Sequence, residues 1–341
     1  MTGKRATIIY NPMSGRPSRR AENAREMTRL LQLRGVAAEA QATTAPDDAT
    51  GLAREAVTNG ADIIVSYGGD GTLNEIIQSI VGSSAALAVW PGGTSNVVAR
   101  DLGMPFDINK IADVIAEAKT KRIALGLAVG AGGRGPGACE SDSKNTVAIE
   151  SSSLSPGQIH EMESSSLHRP PAPGPRPLKR FFLMMAGIGL DASIARGVNK
   201  RLKRKTGEFA YWVTGIKHLF TWRAEPFVIE VDGQSYESVF ALIGNGKGYG
   251  GGMCITPHAQ LEEPWFEVYI LPRQASAIAY MGALAACMRG RPESTNATIT
   301  RGRHIKANST HEPWVEADGE IIGSLPMSFD IVPDALSVIV P

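Results

Sequence analysis

The spacing of apolar residues changes character along this chain. Over the first 122 residues, short β-branched runs alternate with segments of helical period, which predicts stacked βα units on a parallel sheet. ATIIY at 6–10 is the first strand, and a helix follows from Ser18 as N-cap through Met27, Leu30 and Leu31 to a stop at Gly35. A second helix begins near Asp47, and ADIIVSY then supplies a second buried strand. Leu73, Ile76, Ile77, Ile80 and Val81 fall at i, i+3, i+4, i+7 and i+8, one apolar face of a helix starting near Thr72. ALAVW makes a further strand, ended by PGGT.

From about residue 123 the period shortens to that of strands, in FVIEVDG at 227–233, FEVYIL at 266–271 and SFDIVP at 328–333. Alternation of this kind with turn signals between predicts an antiparallel β domain. The expected organisation is therefore an α/β domain over 1–122 and an all-β sandwich over 123–341. The second is interrupted at about 130–178 by a stretch dense in Gly, Ser and Pro and nearly devoid of aromatics. Such a composition cannot bury enough surface to offset its ordering entropy, so a disordered insertion is expected there.

Composition narrows the function classes. With 43% hydrophobic residues in 341, the chain can build a sizeable core, and Lys+Arg 35 against Asp+Glu 34 gives no overall field favouring nucleic acid. No secretory leader precedes the first strand, and the apolar stretch at 278–288 falls short of the roughly 20 residues a spanning helix needs. A cytoplasmic protein is expected. Cys139, Cys254 and Cys287 are far apart and lack CxxC spacing, so neither a disulfide framework nor a zinc site is indicated. The six histidines form no metal-binding spacing.

Three glycine-containing loops follow three predicted strands: NPMSG at 11–15, GGDGT at 68–72 and PGGT at 91–94. In a parallel sheet the carboxyl ends of the strands share one edge, so these loops should converge there. Gly68, Gly69 and Gly71 let backbone amides approach a phosphate, and the helix behind them directs its positive end at it. Asp70 sits at the centre of that loop, where a bare carboxylate would repel a triphosphate. It must act through a bridging Mg²⁺, hold the loop shape, or take a proton from an acceptor. The plainer alternative is a tight strand-to-helix turn. No GxxxxGK[ST] occurs, and GKGYGG at 246–251 is followed by MCITP rather than a helix, which removes the dinucleotide fingerprint.

With IIYNPMSG and GGDGTLNE stand PGGTSNVVARDLG, MAGIGLDA, YGGGMCITPHA and EADGE, and in this order the set resembles the diacylglycerol kinase catalytic-domain family, bacterial lipid kinases related to sphingosine and ceramide kinases. The resemblance implies an active site in a cleft between the two domains, with ATP and Mg²⁺ as cofactors. Nucleotide contacts carry over to Asn11, Pro12, Ser14, Gly15, Thr43, Gly68, Gly69, Gly71, Thr72, Leu73, Asn74, Glu75, Gly93 and Thr94. The general base carries over to Asp318 or, in a second reading, Glu320, with Asp70 beside the transferred phosphate. Read without the family, Asp-Gly at 318–319 is equally a hairpin turn signal.

The chain departs from the family pattern at Val97, where an Asp is common, and in PHAQLEEPW, where an Asp-Gly pair would help bind a structural Mg²⁺. Gln260, Glu263 and Trp265 are the remaining candidate ligands there. For the partner, a lipid presented at a membrane surface, the cluster Lys200, Arg201, Lys203, Arg204 and Lys205 is the expected peripheral contact. The aromatic segment FAYWVTGIKHLFTW after it reads as an acyl pocket or as domain core. A homodimer is left open. Two other functions stay in view: a nonenzymatic nucleotide- or lipid-binding regulator with the same fold, and an NAD kinase, whose family also uses GGDGT.

Overall fold

In the computed structural model, the described residues are 3–14, 19–130, 178–189, 225–249, 253–275 and 277–341. The insertion at 131–177, the basic cluster from Lys200 to Lys205, the aromatic segment behind it and Gly15 lie outside them.

The amino-terminal half alternates β1 (Arg5–Tyr10), α1 (Arg20–Leu33), β2 (Ala37–Ala42), α2 (Asp48–Thr58), β3 (Ile63–Gly68), α3 (Asp70–Ile80) and β4 (Ala86–Pro91). The short α4 (Val97–Asp101) and α5 (Ile108–Glu117) complete it. Strands β2, β1, β3 and β4 lie side by side, all parallel. Residues Ile63–Gly68 are buried without a break, as a strand covered on both faces must be. On one face α3 buries Leu73, Ile76, Ile77 and Ile80 against α2, each such side chain worth about 1.5–3 kcal/mol. Asp107 caps α5, its side chain accepting the N–H groups of Asn109 and Lys110.

Two sequence expectations are corrected here, and one strand is added. The edge strand β2 went unread because AAEAQA is short, Ala-rich and mostly exposed, so it carries no β-branched signal. Helix α1 has Arg19, not Ser18, in its N-cap position and no side-chain cap bond. Its entry is fixed instead by buried Arg20, whose guanidinium lies 4.4 Å over the Tyr67 ring while Nε donates to Ser14 O at 2.7 Å. Helix α3 starts at Asp70 rather than near Thr72, because its first turn, Asp-Gly-Thr, precedes the apolar stripe that periodicity detects.

The carboxyl-terminal half is antiparallel. It comprises β5 (Thr120–Gly130), β6 (Leu178–Phe182), β7 (Met185–Gly189), β8 (Phe227–Val231), β9 (Gln234–Gly244) and the two-residue pair β10 (Gly248–Tyr249) and β11 (Met253–Cys254). After them come β12 (Phe266–Pro272), α6 (Ala277–Met288), β13 (Thr298–Gly302), β14 (His304–Asn308), β15 (Trp314–Ala317), β16 (Glu320–Ser324) and β17 (Met327–Ile339). Its core holds Phe182, Phe227, Ile229, Phe266, Ile305 and Phe329 from alternate inward positions. GKGYGG indeed leads into strands, not into a dinucleotide helix. Among the described residues no helix is long and apolar enough to cross a membrane.

Strand β17 ties the halves together. Its first part pairs antiparallel with β14, while Ser337 and Val338 pair parallel with Ala86 and Leu87 of β4. Along nearly its whole length it also pairs with β5, with a register shift between Val332 and Leu336 where Asp334 takes φ 49°. The end of β17 thus lies between β4 and β5, and the 122/123 boundary falls inside β5.

Candidate active site

The three glycine loops meet. Asn11 follows β1, Gly69 follows β3 and Gly92 follows β4, all at the carboxyl edge of the parallel sheet, and buried Thr43 follows β2 at the same edge. Asn11 N donates to Tyr67 O at 3.3 Å, Gly92 N to Gly68 O at 3.1 Å and Ser14 Oγ to Gly92 O at 3.5 Å. A methyl group on Gly93 would lie 2.5 Å from the Gly69 Cα, so glycine there is demanded by backbone against backbone. Asn96, in left-handed conformation, holds the third loop by accepting from Gly93 N at 2.7 Å and donating to Gly93 O at 2.9 Å. Nothing in the spacing of SNV singles out that clamp.

Helix α3 opens into this convergence with Gly69 as N-cap and no side-chain capping bond. First-turn amides without a side-chain cap, at the positive end of an 11-residue helix, fit a phosphate group. Gly71 and Thr94 are exposed there, whereas Thr72, Leu73 and Asn74 are buried. Asn74 Oδ1 accepts from Gln78 Nε2 at 3.0 Å. Asn11 turns its own loop, its Oδ1 accepting Met13 N at 2.8 Å, and Pro12 lies in that turn. Glu75 accepts Ala49 N at 3.1 Å, and burial raises its carboxyl above the ordinary value.

Asp70 Oδ1 accepts the Val97 backbone N–H at 3.1 Å. Burial raises its pKa, against the backbone N–H groups of Val97, Val98 and Asn96, which favour the ionised form. The residue that replaces the family's Asp thus still serves Asp70 through its backbone.

From the other half comes the β15–β16 hairpin, whose turn residues Asp318 and Gly319 have φ 48° and 82°. Two left-handed residues in a two-residue loop make the tight turn that Asp-Gly signals. From this turn the Asp318 side chain accepts Leu183 N at 2.7 Å, Met184 N at 2.9 Å and Met185 N at 3.0 Å. Even so, burial pushes its pKa up to about 6, and the charge of Asp70 adds to the shift. Asp70 and Asp318 therefore sense one another across the cleft. Glu320 faces the same gap, since a first side-chain carbon on Gly71 would stand 3.7 Å from its Oε1. Arg180 of β6 pairs with it, Nη2 to Oε2 at 2.6 Å, a partner 140 positions away that sequence spacing cannot reveal.

The candidate ligands in PHAQLEEPW form a turn in which Gln260 O accepts Glu263 N at 3.0 Å. Arg301 lies 4.1 Å over the Trp265 ring. Glu263 is the single carboxylate of the three, and among the described residues no group of three or more His, Cys, Asp or Glu side chains could hold a metal ion. Of the three, Glu263 alone could offer a hard dication an anionic side-chain oxygen. The neighbouring Glu267, buried and missed from sequence, staples the turn by accepting His258 N at 2.8 Å and Ala259 N at 3.2 Å.

Comparison with known proteins bears on this geometry. Residues 5–128 match the model described as "Diacylglycerol kinase catalytic domain", and residues 185–340 match the "YegS C-terminal NAD kinase beta sandwich-like domain". A protein of Bacillus subtilis (strain 168) named diacylglycerol kinase is 27% identical over 344 residues, covering 99% of this chain and 97% of its own. One of the same name from Staphylococcus aureus (strain bovine RF122 / ET3-1) is 26% identical over 333 residues, covering 96% and 89%. The fold matches a crystal structure titled as a diacylglycerol kinase from Bacillus anthracis str. Sterne, with a TM-score of 0.70, 21% identity, and coverage of 100% and 98%.

Proposed function

This chain belongs to the diacylglycerol kinase catalytic-domain family, and on that premise we propose that it transfers the γ-phosphate of ATP to a hydroxyl of diacylglycerol or a similar lipid. The observation that carries the reading is the approach of the Asp318–Glu320 hairpin to the first turn of α3. A proton acceptor from one half and a phosphate-binding helix end from the other share one gap.

In this reading the triphosphate lies on the glycine loops with its terminal group at the α3 amides. The lipid hydroxyl enters from the sandwich side. Asp318 takes its proton as the oxygen attacks the γ-phosphorus, the bond to the β-γ bridging oxygen breaks, and ADP leaves with a phosphomonoester formed on the lipid. A carboxyl held near 6 is ionised at neutral pH yet more basic than an ordinary aspartate, which suits that step. Asp70, already at the phosphate end, is the carboxylate that would hold Mg²⁺ together with the triphosphate, and the ion would neutralise charge there. Val97 leaves it without a second acid from that loop.

Transfer of labelled γ-phosphate from ATP to diacylglycerol, ceramide, a sphingoid base and NAD, with lipids in mixed micelles, tests the reading. Phosphatidate as the main product supports it. Label on NAD alone would replace it with a dinucleotide kinase, and tight ATP binding with no acceptor would favour a regulator.

A further inference from the structure

The stretch Arg180–Met185 touches three parts of the cleft at once. Phe181 exchanges two hydrogen bonds with Gln78 of α3, its O accepting Nε2 at 2.9 Å and its N donating to Oε1 at 3.0 Å. The N–H groups of Leu183, Met184 and Met185 hold Asp318. Arg180 holds Glu320.

Four carboxylates, Asp70, Glu75, Asp318 and Glu320, border the gap. Burial is the main cause of the raised pKa of Glu75 and of Asp318, and the charge of Glu320 adds to the first and that of Asp70 to the second. Among the described residues, the bond from Arg180 to Glu320 is the one ion pair that any of the four makes. Arg180 is anchored in β6 opposite Ala128, with its side chain 19% exposed, while that of Glu320 is 42% exposed and open to the gap. Its Nε is buried without a hydrogen-bond partner, so the pair with Glu320 is the polar contact that holds the guanidinium there.

We propose that Arg180 is a positioning residue for the nucleotide: it holds and neutralises the Glu320 carboxylate beside the first turn of α3, so that the turn can receive phosphate. The inference rests on the cleft being an ATP site. Without the guanidinium, an unpaired carboxylate beside Gly71 would face the incoming polyanion.

Calorimetric titration of ATP with magnesium into wild type, Arg180→Gln, Arg180→Lys, Glu320→Gln and the Arg180→Gln/Glu320→Gln double variant decides it, with thermal unfolding of each as a control on folding. The expected result is a loss of tenfold or more in ATP affinity for Arg180→Gln, a smaller loss for Arg180→Lys, and recovery to within about threefold of wild type in the double variant. A merely structural arginine would give no such recovery. Wild-type affinity in Arg180→Gln, or a double variant as weak as Arg180→Gln, would overturn the inference while leaving the ATP site standing. Failure of wild type to bind ATP would overturn both.

Discussion

Asp318 accepts the backbone N–H of Leu183 at 2.7 Å, yet its carboxyl titrates near 6 because burial outweighs that bond and its two neighbours. From the ordinary value of 3.8 to about 6, the folded protein binds this proton more tightly than the unfolded chain. Stability from the neutral form is therefore full below the ordinary value and falls as pH rises through the folded pKa. Asp318→Asn is neutral throughout, and Asn tolerates the left-handed turn. Its amide nitrogen, however, meets backbone N–H donors where a second oxygen accepted, a cost that does not vary with pH. The stability of the variant relative to wild type should therefore rise by up to about 3 kcal/mol from pH 4 to pH 8, at about 1.4 kcal/mol per pKa unit. Urea unfolding at the two pH values measures this, and a difference that stays the same at both would refute it.

The same group sets a pH profile. kcat/KM should fall on the acid side with a midpoint near 6, since the base must be ionised in the free enzyme. A profile flat down to pH 5 would assign proton removal elsewhere.

Gly93→Ala should uncouple the nucleotide loops. The added methyl, 2.5 Å from the Gly69 Cα, pushes backbone from backbone, and ATP affinity should drop at least tenfold by calorimetry. Gly82→Ala, also a loop glycine but with open space around it and φ 75°, strains only its own turn and should bind ATP like wild type.

The insertion joins two residues that already face each other, because Gly130 and Leu178 are paired across β5 and β6. Replacing 131–177 with a two-residue Asn-Gly turn should leave the thermal midpoint within a few degrees and lipid kinase activity within about twofold. A large loss of either would give those residues a role in folding or catalysis.

Legibility in the sequence followed local signals. The glycine loops, the α3 stripe and the strands at 227–231 and 266–272 were readable because each writes its conformation in adjacent residues. Asp-Gly at 318–319 forms the tight turn that the dipeptide signals. What escaped depends on distant partners. Arg180 matters only through Glu320, Glu267 only through the turn at His258 and Ala259, and the end of β17 joins the first sheet against a strand some 250 positions earlier. β2 escaped for the opposite reason, having a neighbour on one side only and little apolar surface to mark it.

The central claim is that Asp318 removes the acceptor proton across the cleft from the α3 phosphate site. Its most direct test is the rate of labelled phosphate transfer from ATP to diacylglycerol by wild type and Asp318→Asn, at saturating ATP and with ATP affinity measured in parallel. The account predicts phosphatidate from wild type, a loss on the order of 10²–10⁴ in kcat for the variant, and ATP affinity within about threefold. Equal rates from the two proteins would contradict it.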